Sequence, residues 1–279
     1  MYADLHFHST CSDGKHSVAW LVDELNSRPN LGLAVLTDHD GVDGFEEFSK
    51  ALDSRIKTLR ACELSCYFQR NENLDQELHL LVYGIAKEDH YLNSIFEKFR
   101  HSRKDRFLEI CRRLEMAGFR VDAEGFIKNH PGRLGRPHVA DALIQAGHVR
   151  TRREAFDRFL HAGSSYLVEK WRLDIEDVIT HCKSKNYMTS IAHPGIYGLQ
   201  REDFLKLKKM GLTAIEVFHP KHSQSDHQKY LEIAKDLNLK ISGGSDFHDS
   251  EFDKKEGQAS LGRTQYSLEM AENFLGPVL

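Results

Sequence analysis

The 279-residue chain lacks long apolar runs, and its five cysteines form no CxxC pair. No stretch approaches the roughly 20 apolar residues that a membrane-spanning helix needs. The first fifteen residues carry charge and histidine where a secretory signal needs an apolar segment. An odd number of cysteines in a chain of this size argues against a disulfide framework. The sequence therefore predicts a cytoplasmic protein with reduced thiols and no membrane contact.

Two further absences concern catalysis and charge. The chain contains neither a GxSxG elbow nor a P-loop, so it offers no motif for a serine hydrolase or a P-loop nucleotidase. The formal net charge is only -4, yet residues 98–172 hold 17 Lys and Arg against 9 Asp and Glu. Single arginines there fit a solvated helical face. Their shared sign indicates an anionic substrate, such as a phosphate ester or a nucleic acid.

Short apolar runs alternate with amphipathic segments along both ends of the chain. Ser17 is a suitable N-cap for the first helix, and Val18, Leu21, Val22 and Leu25 share one of its faces. Helical periodicity without strand signals, from about residue 90 to residue 161, predicts a helical insertion. The alternation elsewhere is typical of parallel β/α architecture. Seven strands are predicted, at residues 2–7, 31–36, 58–64, 78–84, 188–192, 213–218 and 239–242.

Histidines and carboxylates follow or end these apolar runs. His6 and His8, two residues apart on a strand, point to the same side and can bind one ion together. Because a β/α barrel gathers the carboxyl ends of its strands at one mouth, distant residues can share a site there. Such a mixed nitrogen and oxygen set suits Mn, Fe or Zn, and it suffices for three ions if one carboxylate bridges. The predicted ligands are His6, His8, Asp13, His39, Glu63, His79, His193, Asp246 and His248.

Two of these positions also have an interpretation without a metal. Asp38, His39 and Asp40 form a structural salt-bridge cluster if no metal is bound there. His79, inside an apolar run, is by itself compatible with a hydrogen-bonded core histidine. Its case for a metal role depends on the other members of the set.

Several cationic or protonatable side chains are candidates for substrate contact. Arg136, beside Pro137, can grip a phosphate through two parallel hydrogen bonds, although a surface charge is the alternative. His138 and His219 are candidate acids or phosphate donors. Lys221 is a further candidate for substrate binding.

Six segments of the sequence resemble those of a known family. DLHFHSTCSDG, TDHDGVDG, CELS, HLLVYG, AHPG and SGGSDFH are similar to the signature segments of the PHP (polymerase and histidinol phosphatase) superfamily, in order along nearly the whole chain. The segment GRPHVADAL resembles the subgroup of nucleoside 3′,5′-bisphosphate phosphatases and ribonuclease AM-type 5′-to-3′ exoribonucleases. The resemblance implies a distorted seven-stranded (β/α)7 barrel of residues 1–89 and 165–279. The helical insertion, residues 90–164, would cover the active-site mouth.

The resemblance also implies a trinuclear centre. His6, His8, Glu63 and Asp246 would hold the first ion, and Glu63, His79 and His193 the second. Asp13, His39 and His248 would hold the third, where some members have histidine at the position of Asp13. Asp38 and Asp40 would orient His39 or a bound water. Mn²⁺ is the expected metal, with Fe²⁺ and Zn²⁺ as alternatives.

These features predict a metal-dependent phosphoric monoester hydrolase or exonuclease. A metal-bridging hydroxide is expected to attack a terminal phosphate of a nucleotide or a short single-stranded RNA, without an obligatory protein partner. Two alternatives stay open, namely a histidinol-phosphate phosphatase and a nucleic-acid-binding module with a structural metal site. The residues expected to act in catalysis are Asp246, His248, Arg136, His138 and His219.

Overall fold

The computed structural model describes residues 1–71, 74–130, 134–161, 163–168, 171–249, 261–262 and 264–279. The chain divides into two compact units. The first, here called the sheet unit, comprises Met1–Thr10, Gly14–Asp89 and Arg172–Leu279. The second, called the helical unit, comprises Cys11–Asp13 and His90–Trp171. Within the described residues, every helix is too short or too polar to cross a membrane.

Seven strands are found in the described part of the sheet unit, one at each predicted place. Their bounds are β1 Tyr2–Asp4, β2 Leu31–Ala34, β3 Ala61–Asn71, β4 Leu74–Tyr83, β5 Met188–Ile191, β6 Ala214–Phe218 and β7 Lys240–Gly243. They pair as a two-stranded sheet, β1–β2, and a five-stranded mixed sheet in the order β3-β4-β5-β6-β7.

The expectation of parallel pairing throughout is wrong at β4. This strand runs antiparallel to both β3 and β5, whereas β1–β2, β5–β6 and β6–β7 are parallel. The physical reason is the short connection after Asn71, because a parallel crossover needs a dozen or more residues. The architecture is therefore α/β with a mixed sheet, and a closed seven-stranded barrel is not confirmed.

Single backbone bridges connect the edges of the two sheets. Phe7 is bridged to Phe247, and His39 is bridged to Glu63, both in parallel orientation. A hydrogen bond from Leu5 N to Gly243 O, 3.2 Å long, lies beside the first bridge. These bridges bring the ends of β1, β2, β3 and β7 close together, and these ends carry several of the predicted ligands.

Burial explains why these segments form strands. Every residue of β2 is buried, and a cluster of apolar side chains fills one side of the sheet unit. Tyr83 packs edge-on against Phe274, and its hydroxyl donates to Leu5 O at 3.1 Å. A polar tip that finds a partner makes a buried tyrosine compatible with a core. This core fixes the strands whose ends form the site.

The helices of the sheet unit follow the expected pattern at α1, Val18–Asn26. Ser17 accepts a hydrogen bond from Trp20 N at 3.3 Å, and the predicted apolar face is buried, which confirms this helix. The other helices in the described residues of the unit are α2 Phe45–Ala51, α7 Ile175–Lys185, α8 Pro194–Tyr197, α9 Arg201–Met210, α10 Gln224–Asp236 and α11 Leu268–Leu275.

The helical unit has its own apolar core. The long helix α3, His90–Met116, buries Phe107, Ile110, Cys111 and Leu114 against shorter helices. The other helices that the structure describes in this unit are α4 Ala123–Asn129, α5 Arg136–Gln145 and α6 Arg152–Ala155, followed by a π-helical turn, Phe156–Leu160.

Candidate metal centre

Eight of the nine predicted ligands belong to the sheet unit and lie together there. Their ligand atoms form groups in which all atoms lie within 4.8 Å of one another: His6, Glu63 and His193; His6, His8 and Asp246; and His39, Glu63 and His79. The ring of His248 stacks on that of His8, with a centroid distance of 4.1 Å. Asp13 belongs to the helical unit, and its part in the set stays a prediction.

Glu63, on β3, is the carboxylate that most of these imidazoles face. Its side chain is 1% exposed. Its Oε1 lies 2.9 Å from His79 Nδ1 and 3.0 Å from His193 Nε2, and its Oε2 lies 3.1 Å from His39 Nδ1, 3.2 Å from His8 Nε2 and 3.4 Å from His6 Nε2. Burial raises the pKa of Glu63, but the imidazoles outweigh it and hold that pKa well below its ordinary value. A carboxylate with five imidazoles around it can bridge two ions.

Asp246, after β7, forms the second carboxylate of the cluster. Its Oδ1 lies 3.4 Å from His6 Nε2 and 3.5 Å from His8 Nε2. Its Oδ2 lies 3.2 Å from His219 Nε2 and 3.3 Å from Lys221 Nζ. His219 is buried, whereas the Lys221 side chain is 42% exposed. The structure thus brings two of the predicted substrate-contacting residues to a predicted metal ligand.

The donor atoms fit a divalent ion. Buried polar atoms normally have hydrogen-bond partners, yet His6 Nε2 and Glu63 Oε2 have none in the described residues, although they lie 3.4 Å apart. Two donors that each lie about 2.1 Å from one ion are separated by roughly 3.0–3.4 Å. The nitrogen–oxygen distances around Glu63 and Asp246 are of this size. Imidazole nitrogen with carboxylate oxygen is the donor set of a divalent transition metal.

The carboxylates of the cluster shift the pKa values of the imidazoles around them. Burial lowers the pKa of His6, but Glu216, Glu63 and Asp246 raise it well above its ordinary value. Burial likewise lowers the pKa of His79, but Glu63 outweighs it and raises that pKa to about 9. His193 differs, because burial dominates and lowers its pKa to about 4. The cluster therefore attracts positive charge, whether as protons or as metal ions.

The backbone is left-handed at three residues of the site. Asp40, His193 and Asp246 have φ values of 54°, 31° and 49°. Such conformations are unfavourable for residues with a side chain and persist where surrounding contacts hold them. Here Asp40 N donates to Glu63 O at 2.8 Å, and Asp246 N donates to His6 O at 2.7 Å. These bonds connect the turns to the segments that carry the ligands.

Asp38 and Asp40 anchor segments next to the ligands. Asp38 accepts hydrogen bonds from Ser9 N at 2.8 Å and from Ser9 Oγ at 2.7 Å. Asp40 accepts a hydrogen bond from Ser65 N at 2.7 Å. These carboxylates hold the chain just after His8 and just after Glu63. Their predicted action on His39 or a bound water stays a prediction.

Two buried carboxylates near the site were not predicted. Glu216, on β6, lies 2.9 Å from His6 Nδ1 and accepts a hydrogen bond from His193 N at 2.6 Å. Asp4 accepts one from Ser245 N at 2.9 Å. The available signal was a carboxylate in an apolar strand, Ala214–Phe218, where an unpaired charge is costly. The partner itself is 210 residues away in the sequence.

The two remaining substrate candidates belong to the helical unit. Arg136 is the first residue of α5, and its guanidinium carbon lies 5.8 Å from the Phe156 ring centre. His138 Nδ1 accepts a hydrogen bond from Gly135 N at 2.9 Å, so its other nitrogen, Nε2, carries the proton of the neutral ring. Burial lowers the pKa of His138. Contact of either residue with a phosphate stays a prediction.

Comparison with known proteins gives relatives over most of the chain, although no family model matches it. A 3′,5′-nucleoside bisphosphate phosphatase of Chromobacterium violaceum is 31% identical over 270 residues, which cover 94% of this chain and 91% of the relative. A 5′-3′ exoribonuclease of Haemophilus influenzae is 28% identical over 250 residues, 88% of this chain and 89% of the relative. A phosphoribosyl 1,2-cyclic phosphate 1,2-diphosphodiesterase of Eggerthella lenta is 28% identical over 258 residues, 89% and 94% of the two chains.

Two solved structures share the fold. One from Bifidobacterium adolescentis, assigned as a metal-dependent phosphoesterase, has a TM-score of 0.83 and 25% identity, covering 99% of this chain and 96% of that one. The other, an amidohydrolase structure from Chromobacterium violaceum with bound sulfate and no metal, has a TM-score of 0.81 and 28% identity. It covers 97% of this chain and 93% of that one.

Proposed function

The chain belongs to the PHP superfamily of phosphoesterases, and we propose that it hydrolyses terminal phosphate esters of nucleotides, or short RNA from its 5′ end, with divalent metal ions. The observation that carries this proposal is the convergence of imidazoles on Glu63 and Asp246, where buried His6 Nε2 and Glu63 Oε2 have no hydrogen-bond partner among the described residues. The named relatives, which include a nucleoside bisphosphate phosphatase and a 5′-3′ exoribonuclease, support the substrate class.

We propose three ion sites and Mn²⁺ as the metal. When bound, such ions neutralise phosphate oxygens and lower the pKa of water from 15.7 toward about 7. Glu63 would be shared between two sites. The proposed ligand sets are His6, His8, Glu63 and Asp246; Glu63, His79 and His193; and Asp13, His39 and His248.

His219 and Lys221, two side chains beside Asp246, would contact the substrate phosphate. Lys221 N donates to His219 Nδ1 at 3.2 Å, so His219 Nε2 carries the proton and faces Asp246 Oδ2. We propose that this N–H donates a hydrogen bond to the leaving alkoxide oxygen, which solvent then protonates, and that the half-exposed Lys221 ammonium binds a phosphate oxygen. Arg136 and His138 would add a guanidinium and an N–H donor to phosphate binding.

Kinetics of single variants should separate these roles. Lys221→Ala is expected to raise KM for a bisphosphonucleotide about tenfold with little change in kcat, because it removes a binding charge. His219→Asn is expected to lower kcat at least about 100-fold, the usual scale for loss of a hydrogen-bond donor to a developing negative charge. Lys50→Ala, on the exposed surface of α2, is the control and should match the wild type. An unchanged kcat in His219→Asn excludes the proposed role of this N–H.

A substrate panel under Mn²⁺ tests the activity itself. We expect a 3′,5′-bisphosphonucleotide or a 5′-phosphorylated short RNA to have a kcat/KM at least about tenfold above that of histidinol phosphate, and a chelator to abolish hydrolysis. Histidinol phosphate as the best substrate would favour the alternative phosphatase. RNA binding that is equal with and without metal, combined with no hydrolysis of any panel member, would favour a binding module.

For the fold, we propose that the two sheets form one distorted barrel of residues 1–89 and 165–279. The bridges from Phe7 to Phe247 and from His39 to Glu63 support this, because they connect the sheet edges. Residues 90–164 would cover the barrel mouth. We also propose that the protein acts in the cytoplasm.

A further inference from the structure

Glu216 is a carboxylate in the apolar interior of the sheet unit. It lies on β6 between Ile215 and Val217 and has no exposed surface. A buried carboxylate costs several kcal/mol unless its oxygens are hydrogen-bonded or paired with a charge. Here the two oxygens contact His6 and His193, one each. Both partners belong to the group around Glu63.

Its contact with His6 determines which ring nitrogen can bind a metal. Glu216 Oε1 lies 2.9 Å from His6 Nδ1. Because an ionised carboxylate only accepts hydrogen bonds, the partner nitrogen Nδ1 is assigned the proton. His6 Nε2 is then the nitrogen that faces Glu63 and Asp246, at 3.4 Å from each. A histidine binds metal through its unprotonated nitrogen, so this contact selects Nε2.

The contact of Glu216 with His193 is a hydrogen bond to the backbone and not to the ring. Glu216 Oε2 accepts a hydrogen bond from His193 N at 2.6 Å. The φ of His193 is 31°, a value that residues with a side chain rarely adopt. The turn with this conformation places His193 Nε2 3.0 Å from Glu63 Oε1. One carboxylate thus holds the ring of one proposed ligand and the main chain of another.

We propose that Glu216 is a positioning residue that presents His6 Nε2 and His193 Nε2 to the metal ions at Glu63. This inference rests on the proposed metal-dependent function. Glu216 contacts His6 Nδ1 and His193 N, whereas Glu63 contacts the Nε2 atom of both rings. Loss of such a hydrogen-bond partner lowers metal affinity about 10- to 100-fold although every ligand remains.

The variant Glu216→Gln tests this role, because it keeps the size but leaves one acceptor oxygen. Either His6 or His193 then loses its acceptor, and an amide N–H that faces His6 favours the wrong ring proton. We expect Zn²⁺ and Mn²⁺ to bind the chelator-stripped full chain about 10- to 100-fold more weakly by calorimetric titration. Ser190→Ala, which removes the buried Ser190–Ser242 hydrogen bond from the same sheet, should bind as the wild type does. Wild-type affinity in Glu216→Gln overturns the proposal.

A second measurement needs only the wild type. In the Zn²⁺-loaded, diamagnetic protein with ¹⁵N-labelled histidine, NMR should show His6 with a proton on Nδ1 and the metal on Nε2. The reverse arrangement overturns the proposal, as does a protein that binds neither Zn²⁺ nor Mn²⁺. Neither readout involves hydrolysis. The expected spectrum and affinities in a protein that hydrolyses no panel substrate would therefore support the role of Glu216 and contradict the proposed activity.

Discussion

Replacement of Glu63 by Gln is expected to lower kcat/KM for phosphoester hydrolysis at least about 1,000-fold, which corresponds to about 4 kcal/mol of transition-state stabilisation. The amide keeps the volume of the side chain but lacks the charge. It also has one acceptor oxygen, whereas the carboxylate has two. Glu63 Oε1 faces His79 and His193, and Glu63 Oε2 faces His6, His8 and His39. Among the described residues, no other carboxylate contacts all five of these imidazoles.

The measurement is steady-state hydrolysis of a 3′,5′-bisphosphonucleotide with excess Mn²⁺, together with the number of ions bound per chain. Fewer bound ions in Glu63→Gln would connect the lost activity to the metal sites. Glu232→Gln, on the exposed face of α10, is the control, because the Glu232 side chain accepts a hydrogen bond from Gln228 of the same helix and contacts none of the described ligand residues. Turnover at the wild-type level in Glu63→Gln would disprove the bridging role.

The substitution Gly244→Ala is expected to damage both stability and activity. An added Cβ would lie 2.3 Å from His6 Cβ and 2.5 Å from His6 N, so the backbone on one side must shift. Overpacking of this kind costs about 3 kcal/mol at the upper end of its usual range. For a chain of this size, that lowers Tm by roughly 6–12 °C. Displacement of His6 by about 1 Å is expected to lower kcat/KM about 100-fold.

Thermal unfolding and kinetics of the same preparation check this expectation. Gly118→Ala is the comparison, because its Cβ would meet no atom within 4 Å although its φ is +90°. It should lose about 1 kcal/mol through backbone strain and keep the activity. If Gly244→Ala had the same Tm and the same kcat/KM as Gly118→Ala, the close approach of Gly244 to His6 would affect neither stability nor activity, and the prediction would be wrong.

The sequence carried enough information for the strands and for most of the candidate site. Short apolar runs such as Leu31–Ala34, with turn-forming residues before them, predict strands because they are too short for a typical buried helix. Charged residues at the ends of such runs, for example His39, indicate a site because packing them elsewhere is costly. Both inferences use local patterns only.

What escaped prediction depends on long-range pairing. The antiparallel β3–β4 hairpin was missed because polar residues such as Asp75 and Gln76 conceal how far both strands extend. Glu216 was missed because a single strand does not reveal whether a carboxylate inside it faces a salt bridge, a metal or an imidazole. Its partner, His6, follows β1 and is 210 residues away along the chain. Likewise, Asp4 had no visible role until Ser245 was placed beside it.

The bridge between β1 and the residues after β7 has a consequence for biosynthesis. Asp4 and Ser245 are 241 positions apart, and His6 faces Asp246 across the same contact. Contacts between residues so far apart in the sequence form late in folding, because the entropy of loop closure must be overcome before they add stability. Domains also fold as units while translation proceeds from the amino terminus. A nascent chain that has emerged only as far as β6 therefore lacks Asp246 and His248, and we expect it to stay inert toward phosphoesters until translation has passed them.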